Sequence, residues 1–482
     1  MGDGPVLPDG VVVVVKRDCP TCRMIEPVLA QLDVASGLTL TVFTQDDPAF
    51  PVGVGKVVHD DDIAVSYHNQ IETVPTVLQV EDGTERGRTV GWSRDQWESL
   101  TGVHGLGADL VDMRPGCGSL SVDPAIVDGL RVRFEGSKLH ARRVQVAELE
   151  DEAEAMFDRG WSDGLPVVPP TEARVLRMLD GTDRAPDDIV AVVPPDLVEC
   201  TVEKVAINAV LAGCKPEYLP VVLTALEAAC TDTFNIHGLL ATTMPVGPVM
   251  IVNGPIRHRI GMNDGVNVLG QGNRANSTIG RALQLVIRNV GGGKPGGVDR
   301  ATQGNPGKVS FCFPENEERS PWEPLHVERG FAPESSAVTL FPGEGPRGIV
   351  DQLSRDPESL ARSFAACLRT VQHPKLPIVF DAILVVGPEH GRVFAEGGWT
   401  KAQLRERLHE LTLLDGQAIV RGADGIAEGV PDWARDSQLP KFRPDGIVIV
   451  HAGGGAGLFS TIIGGWANGE TGSQPITKEI AS

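Results

Sequence analysis

The stretch VVVVVKRDCPTC, residues 11–22, decides the fold of the N-terminal part of the chain. Its five valines lie between Asp9-Gly10 and Lys16-Arg17-Asp18, which predicts a buried strand with polar ends. After the two cysteines, apolar residues recur at helical spacing, at Met24, Ile25, Val28, Leu29 and Leu32. The dithiol Cys19-Pro20-Thr21-Cys22 is therefore expected between the end of a strand and the start of a helix.

The rest of the first hundred residues continues this alternation. A second strand is predicted at 38–43, a helix at 60–67, a hairpin of 77–80 with 89–92 around Asp82-Gly83, and a closing helix at 93–100. The resulting order, β-α-β-α-β-β-α, predicts a compact α/β domain over residues 1–104.

Two cysteines separated by two residues serve either zinc binding or redox chemistry. Structural zinc needs two further ligands at close spacing, and no second C-x-x-C or H-x-x-x-H pattern follows in the chain. At a helix N-terminus the free N–H groups stabilise the Cys19 thiolate, and Cys22 lies one turn further on. A cis peptide bond before Pro75, in Thr73-Val74-Pro75-Thr76, would present backbone to a bound thiol or peptide.

These residues, together with the Asp82-Gly83 hairpin, resemble the thioredoxin superfamily over roughly residues 8–104. The resemblance implies that Cys19 is the nucleophile, Cys22 the resolving thiol and Pro75 the cis-proline. Asp18 replaces the usual aromatic residue, and its charge is expected to raise the pKa of Cys19. Val13 replaces the usual buried acid, so Cys22 must lose its proton to water or another group. A dedicated reductase is the preferred interpretation; a scaffold without redox activity, or a structural disulfide, stays open.

Composition limits the classes of function. The chain has 482 residues, a net charge of −21 and 41% hydrophobic residues. Such a charge repels phosphate backbones and anionic lipids, which argues against nucleic-acid and membrane partners. Because no apolar stretch is long enough for a membrane span and the N-terminus does not look like a signal peptide, we expect a cytoplasmic protein.

Beyond the first domain, residues 105–160 are expected to form a linker and a charged helix at 144–158. Cys117, in Pro115-Gly116-Cys117-Gly118-Ser119, lies where a thiol could meet both Cys19 and a substrate of the second part.

Residues 161–482 are predicted to form a large α/β part, as one domain or two subdomains. This part resembles an uncharacterised bacterial family associated with UGSC-motif selenoproteins. Cys117-Gly118-Ser119-Leu120 is similar to that motif, with cysteine for selenocysteine and leucine for the last cysteine; the resemblance implies no reaction.

Two predicted strands of this part end in polar residues. The strand at 383–386 leads to Glu389 and His390, and the strand at 447–450 leads to His451 and a glycine-rich turn containing Gly453, Gly455 and Gly457. A helix is expected from about Leu458. Strand, glycine turn and helix is a geometry that binds anions at the carboxyl ends of strands. A plain strand-to-helix turn is the alternative.

A second glycine-rich loop, residues 270–281, is predicted to enter a helix that ends at Gly291. Arg274 and Arg281 supply guanidinium groups suited to a carboxylate or phosphate. Asn276 is either a ligand-binding residue or only the N-cap of that helix.

The sequence thus favours a thiol-disulfide oxidoreductase that passes electrons from Cys19 and Cys22 to a substrate or cysteine held in the C-terminal α/β part. The alternative is a non-redox lyase or hydrolase that uses Glu389, His390 and His451 on a small anionic substrate, with the first domain as an interaction module. A partner-binding subunit is a third class. No metal or other cofactor is predicted, the substrate is expected to be an anionic or thiol small molecule, and a homo-oligomer or a protein redox partner stays open.

Overall fold

The chain divides into two compact units, Met1–Lys138 and Leu139–Ser482, in the computed structural model of the protein. The structure describes residues 5–136, 139–147, 150–420 and 432–481. The first unit ends well beyond residue 104. Residues 105–138, expected as part of a linker, belong to the N-terminal unit.

The N-terminal unit is an α/β unit. Its strands are β1 (Gly10–Val15), β2 (Leu40–Thr44), β3 (Val57–His59), β4 (Thr73–Val74), β5 (Thr76–Glu81), β6 (Thr84–Val90), β7 (Trp92–Ser93), β8 (Met113–Arg114) and β9 (Cys117–Gly118). Its helices are α1 (Pro20–Met24), α2 (Glu26–Asp33), α3 (Ala64–His68), α4 (Arg94–Thr101) and α5 (Val127–Glu135). The main sheet has the order β3-β2-β1-β5-β6.

Strand β1 is the centre of this sheet. It pairs in parallel with β2 and antiparallel with β5, and its valines are buried on both faces. The predicted hairpin is confirmed, with Asp82 and Gly83 at φ of 52° and 68°, the left-handed conformation that a two-residue hairpin turn requires. Helix α3 begins at Ala64 instead of residue 60, because the Asp60 carboxylate accepts the N–H groups of Val65 and Ser66.

Residues 105–138 join the unit through two short strand pairs. Strand β8 pairs antiparallel with β7, and β9 pairs antiparallel with β4, which places Cys117 opposite Val74. Two-residue strands have no periodicity to detect, so a glycine-rich stretch of this kind is easily taken for a connector.

The C-terminal unit is also α/β. Its helices are α6 (Glu152–Asp158), α7 (Glu172–Leu179), α8 (Val202–Ala212), α9 (Leu219–Ala229), α10 (Ile236–Ala241), α11 (Ile256–Arg259), α12 (Arg274–Asn289), α13 (Leu325–Glu328), α14 (Pro357–Leu368), α15 (Pro388–Glu396), α16 (Lys401–Leu411) and α17 (Gly416–Ile419). Its strands are β10 (Ile189–Val193), β11 (Val198–Thr201), β12 (Gly247–Asn253), β13 (Cys312–Pro314), β14 (Ala337–Gly343), β15 (Arg347–Val350), β16 (Phe380–Val386), β17 (Leu414–Asp415), β18 (Gln438–Leu439), β19 (Ile447–His451), β20 (Phe459–Ala467) and β21 (Ile476–Glu479).

The large sheet of this unit is bent into two halves. Its order is β13-β12-β14-β20-β16-β19, with β21 on β14 and β15 on β20. Strands β14 and β20 share a single register pair, Gly343 with Gly465, which separates the halves. Successive side chains of a strand point to opposite faces, so each half has two packed faces.

The two halves share an inner core and carry helices outside. Alternate residues of β12 and β16, such as Ile251 and Ile383, belong to one common cluster. The intervening Met250 packs in the cluster of α8, α9 and α12, and Leu384 in the cluster of α14 and α16. The layers are therefore helices, sheet, sheet and helices.

One predicted helix of this unit is wrong. Residues 459–467 form strand β20, which pairs antiparallel with β16 and β15, instead of a helix from Leu458. β-Branched residues favour strands, and Thr461, Ile462 and Ile463 support this one. Helix α16 begins with a capping box of Thr400 and Gln403, and Thr171 is the N-cap of α7. The charged helix begins at Glu152, capped by Asp151, instead of residue 144; residues 148 and 149 lie outside the described residues.

No helix in the described part of the chain is both long enough and apolar enough to span a lipid bilayer.

We expect Phe364→Ala to lower the free energy of unfolding by about 3–5 kcal/mol, because removing a buried aromatic ring leaves a cavity. Phe364 belongs to α14, where its ring is fully buried on the side that faces the sheet and contacts Phe394. Urea unfolding measures the change. Phe157→Ala is the control, since that ring is 56% exposed; equal effects of the two substitutions would contradict the layer assignment.

Candidate functional site

The two cysteines of the dithiol occupy the start of helix α1. Cys19 is the N-cap residue, and its Sγ accepts the backbone N–H of Cys22 at 3.3 Å. Strand β1 ends four residues before it, so a buried strand fixes where the helix begins. The placement predicted from the sequence, between strand and helix, is confirmed.

Both sulfurs are covered by protein. Cys19 and Cys22 are fully buried, and Cys19 Sγ lies 3.5 Å from the carbonyl oxygen of Val74. The peptide bond between Val74 and Pro75 is cis, as predicted. Cys117 completes the group, because it lies opposite Val74 in the β9–β4 pair and is close enough to Cys19 to contribute to the pKa shift of that thiol. The structure thus brings together Cys19, Cys22, Pro75 and Cys117.

The hydrogen bonds at Cys19 lower its pKa to about 5. The largest cause is the hydrogen bond from the Cys22 thiol, followed by opposing burial and then by the Cys117 thiol. Hydrogen bonds to the charged form favour that form. The expectation of a raised pKa at Cys19 is wrong: the net shift is downward, and Asp18, which is exposed, is not among its main causes.

Cys22 differs from Cys19 in the direction of its pKa shift. Burial raises the pKa of Cys22 well above that of a free thiol, and its hydrogen bond to Cys19 raises it further. Val13, in β1, is also fully buried. Cys19 is therefore the anion of the pair and Cys22 the protonated thiol.

A strip of chain around Cys117 is bound firmly beside the dithiol. Thr21 Oγ1 donates to the carbonyl of Pro115 at 2.7 Å, Lys16 Nζ donates to Gly118 O at 3.0 Å, and the N–H of Ser119 donates to Glu72 O at 2.9 Å. A Cβ on Gly116 would lie 2.4 Å from Thr73 Cγ2, so only glycine allows this close approach.

Sequence reasoning did not assign roles to Lys16, Thr21 and Gly116. All three are close to the motifs that it used, but their contacts depend on how residues 114–119 return to β4, and no local pattern reports this.

In the C-terminal unit, the predicted polar residues lie at one sheet edge. Strands β16 and β19 are parallel neighbours with Val386 opposite His451. His390 is fully buried in the first turn of α15, where Nδ1 is 2.8 Å from Ser460 Oγ and Nε2 is 3.0 Å from Asp351 O. His451 Nδ1 lies 3.1 Å from Asn316 O, while its buried Nε2 has no hydrogen-bond partner. Burial lowers the pKa of both histidines.

The glycine-rich turn after β19 leads to a strand, so its N–H groups do not form a helix N-terminus. The N–H of Gly453 donates to Asp264 O at 2.9 Å, and Gly453 and Gly457 have φ of 120° and 105°. At the end of the turn, the N–H of Leu458 donates to Glu389 Oε2 at 2.7 Å. Gly455 lies in the turn between Gly453 and Leu458. The turn therefore binds the carboxylate of Glu389, a residue of the same chain.

The three predicted ligand residues near α12 contact protein groups. Arg274 donates to the carbonyl of Gly213, and Arg281 forms a two-point ion pair with Asp163 at 2.7 and 2.8 Å. Asn276 donates to the carbonyl of Asn263 at 2.8 Å. The suggestion that Asn276 caps α12 is wrong, because Asn273 is the N-cap and accepts the Asn276 N–H.

A buried polar cluster after β12 and β13 was missed in the sequence. The carboxylate of Glu315 is fully buried and accepts Asn253 Nδ2 and the N–H of Leu325, both at 2.7 Å. Burial raises the pKa of Glu315. Arg257 donates to Glu315 O at 2.8 Å and pairs with Glu317 at 2.9 Å. The run Pro314-Glu315-Asn316-Glu317 is a signal for this cluster, but the sequence does not show which of its acids is buried.

A cavity of about 720 Å³ lies between α7, α8 and the segment near Trp161. Most of its wall is apolar, with Asn208 and Asn289 among the polar residues. The two amides hydrogen-bond to each other at 2.9 Å. None of the site residues predicted from the sequence lines it.

Within the described residues, no group of three or more His, Cys, Asp and Glu side chains is arranged to hold a metal ion. Comparison with known proteins gives no match to any family model, curated protein or solved structure.

We expect the Cys19 thiolate to protonate with a midpoint near pH 5, since its pKa is lowered to about 5. Ultraviolet absorbance of the thiolate during acid titration of the reduced protein measures this. Cys19→Ser should lack the transition, and Cys117→Ala should shift it upward because one hydrogen bond to the anion is lost. A midpoint like that of free cysteine would contradict the assigned geometry.

We expect Arg281→Gln to lower the free energy of unfolding by about 2–3 kcal/mol, because it leaves the mostly buried Asp163 carboxylate without its charged partner. Burial acts to raise the pKa of Asp163, but the hydrogen bond and charge of Arg281 outweigh it and hold that pKa below its ordinary value. The stabilisation is therefore present above the pKa of an unfolded aspartate, about 4, and is lost as pH falls through the lower folded pKa.

Urea unfolding at neutral and acid pH measures this difference. Arg362→Gln is the matched control, because Arg362 pairs with Glu358 on the surface and is 61% exposed, so its loss costs about 0.5 kcal/mol. A pH-independent effect of Arg281→Gln would contradict the explanation.

Proposed function

We propose that the protein is a thiol-disulfide oxidoreductase in which Cys19 is the attacking thiolate and Cys22 the resolving thiol. The observation that carries this proposal is the geometry at Cys19, whose Sγ accepts the backbone N–H of Cys22 at the start of α1 and lies 3.5 Å from the carbonyl oxygen of Val74, the residue opposite Cys117. It agrees with the thioredoxin-superfamily resemblance of the motif. A substrate or cysteine of the C-terminal part as the final electron acceptor belongs to the same proposal.

The proposed exchange proceeds in two steps. The Cys19 thiolate attacks one sulfur of a substrate disulfide, whose S–S bond breaks and releases one thiolate. Cys22 then loses its proton to water and attacks Cys19 Sγ, which breaks the mixed disulfide and releases the second substrate thiolate. The substrate gains two electrons, and the protein is left with a Cys19–Cys22 disulfide.

The pKa shifts of the other cysteines also support Cys19 as the attacking thiolate. All eight cysteines lie in the described residues, and only Cys19 has a lowered pKa. Burial raises the pKa of Cys200, Cys214 and Cys230 to about 12 and also raises that of Cys312 and Cys367. Because the thiolate is the nucleophile, Cys19 is the thiol best prepared for exchange at neutral pH.

The alternative, a lyase or hydrolase built on Glu389, His390 and His451, has no such support. Both nitrogens of His390 contact protein oxygens, and Glu389 accepts a backbone N–H. We therefore propose the redox activity alone.

Mixing the reduced protein with oxidised glutathione tests the proposal. We expect the protein to lose two thiols and to form a Cys19–Cys22 disulfide, which peptide mapping by mass spectrometry identifies. Cys19→Ser should slow the release of the second reduced glutathione by about 100-fold or more, because the only stabilised thiolate is lost.

Cys367→Ser is the control, since Cys367 is also partly exposed and its pKa is raised. This variant should react like the unmodified chain. If Cys19 and Cys22 stay reduced in the unmodified chain, the redox proposal is wrong.

A further inference from the structure

Strand β9 lies where the substrate of the dithiol would be expected. It pairs antiparallel with β4, the strand that ends at the cis-proline, with Cys117 opposite Val74 and Gly118 opposite Thr73. Adding an extended segment to a strand edge is a common way to bind a peptide. Here the added segment belongs to the chain itself.

The side chains around this segment hold it at both ends. Thr21, inside helix α1, hydrogen-bonds to Pro115 O, and Lys16, at the end of β1, hydrogen-bonds to Gly118 O. Further along, the buried amide of Gln45 donates to Ser119 Oγ at 2.6 Å and accepts the N–H of Leu120 at 3.0 Å. The segment is therefore a fixed part of the site.

Of the three cysteines at the site, Cys117 is the most exposed. Cys22 and Cys19 are fully buried, whereas Cys117 is partly exposed and lies opposite Val74, whose carbonyl oxygen is 3.5 Å from Cys19 Sγ. While residues 114–119 stay in place they cover Cys19 Sγ, so direct attack of Cys19 on an external disulfide, the first step of the proposed exchange, requires this segment to move away. Attack by Cys117, which is partly exposed, requires no such movement.

We propose that Cys117 is a third catalytic thiol, through which external disulfides exchange electrons with Cys19 by way of a Cys19–Cys117 disulfide. This inference rests on the proposed function, and it names the residue that meets the substrate. The other residues of the segment 114–119 occupy the place on β4 where a substrate strand would bind, and they keep Cys117 next to Cys19.

The three exchanges balance. The Cys117 thiolate, formed by loss of its proton to water, attacks a small disulfide RSSR; the S–S bond breaks, one RS⁻ leaves, and Cys117–S–S–R forms. Cys19 then attacks Cys117 Sγ, releases the second RS⁻ and forms the Cys19–Cys117 disulfide. Cys22, after losing its proton, attacks Cys19 Sγ, which frees Cys117 and leaves a Cys19–Cys22 disulfide. RSSR gains the two electrons that the dithiol loses.

Trapping in the Cys22→Ser full-length chain tests this inference, with oxidised glutathione as the probe. Because the last step is blocked, we expect peptide mapping to find Cys19 linked to Cys117. A glutathione adduct on Cys19 with Cys117 still free would overturn the inference while leaving the proposed function intact. Unmodified chain that forms no Cys19–Cys22 disulfide would reject both.

Rates give a second readout. Cys117→Ala and Cys117→Ser both keep the backbone pairing of β9, and we expect each to slow the oxidation of Cys19 by about tenfold or more, since the solvent-facing nucleophile is lost. Cys367→Ser should leave the rate unchanged. Equal rates in all these variants would contradict a role for Cys117.

The pH dependence of the reaction rate distinguishes attack by Cys117 from direct attack by Cys19. The titratable groups that shift the pKa of Cys117 are Cys19 and Lys16; burial and the hydrogen bond to Cys19 outweigh Lys16, so this pKa is raised. Attack by Cys117 should therefore accelerate by about tenfold per pH unit from about pH 6 to about pH 8, as its thiolate fraction grows. Direct attack by Cys19, already ionised in that range, would give a flat profile and would overturn the inference.

Discussion

The candidate site depends on one backbone pairing, the antiparallel contact of Cys117 with Val74. It brings a third sulfur to a dithiol at a helix N-terminus, and it covers that dithiol from solvent. Without this contact Cys19 would lose one of the hydrogen bonds that lower its pKa. Gly116 makes the pairing sterically possible, because any side chain there would collide with Thr73. A residue without a side chain thus controls the chemistry of its neighbour.

The two units use buried charge differently. In the N-terminal unit, a sulfur anion is stabilised by thiol and amide hydrogen bonds in a site that lacks a buried acid at Val13. In the C-terminal unit, charged groups are matched within the protein: Arg281 pairs with Asp163, and Arg257 pairs with Glu317. Charged groups that already form ion pairs and hydrogen bonds within the protein have few free donors or acceptors for a ligand.

Sequence patterns predicted the parts of the fold that depend on local signals. The valines of β1 and the Asp82-Gly83 turn each encode their structure within a few residues. Long-range pairing escaped prediction: β9 returns to β4 across more than forty residues, and β20 was mistaken for a helix because glycines before it resemble a strand-to-helix turn. For the site, Cys19 and Cys22 were predictable from the dithiol motif and Pro75 from the segment Thr73-Val74-Pro75-Thr76, whereas the contacts of Arg274 and Arg281 are tertiary and have no sequence signature.

The position of β21 has a consequence for biosynthesis. This strand, Ile476–Glu479, pairs with β14, which is itself the partner of β12, so residues near 250, 340 and 478 must meet in one sheet. During translation, that sheet stays incomplete until residue 479 has left the ribosome. The strands around the dithiol are complete by residue 118. Because domains generally fold as units during synthesis, the thiols of the first unit can reach their native arrangement while most of the second is still being made.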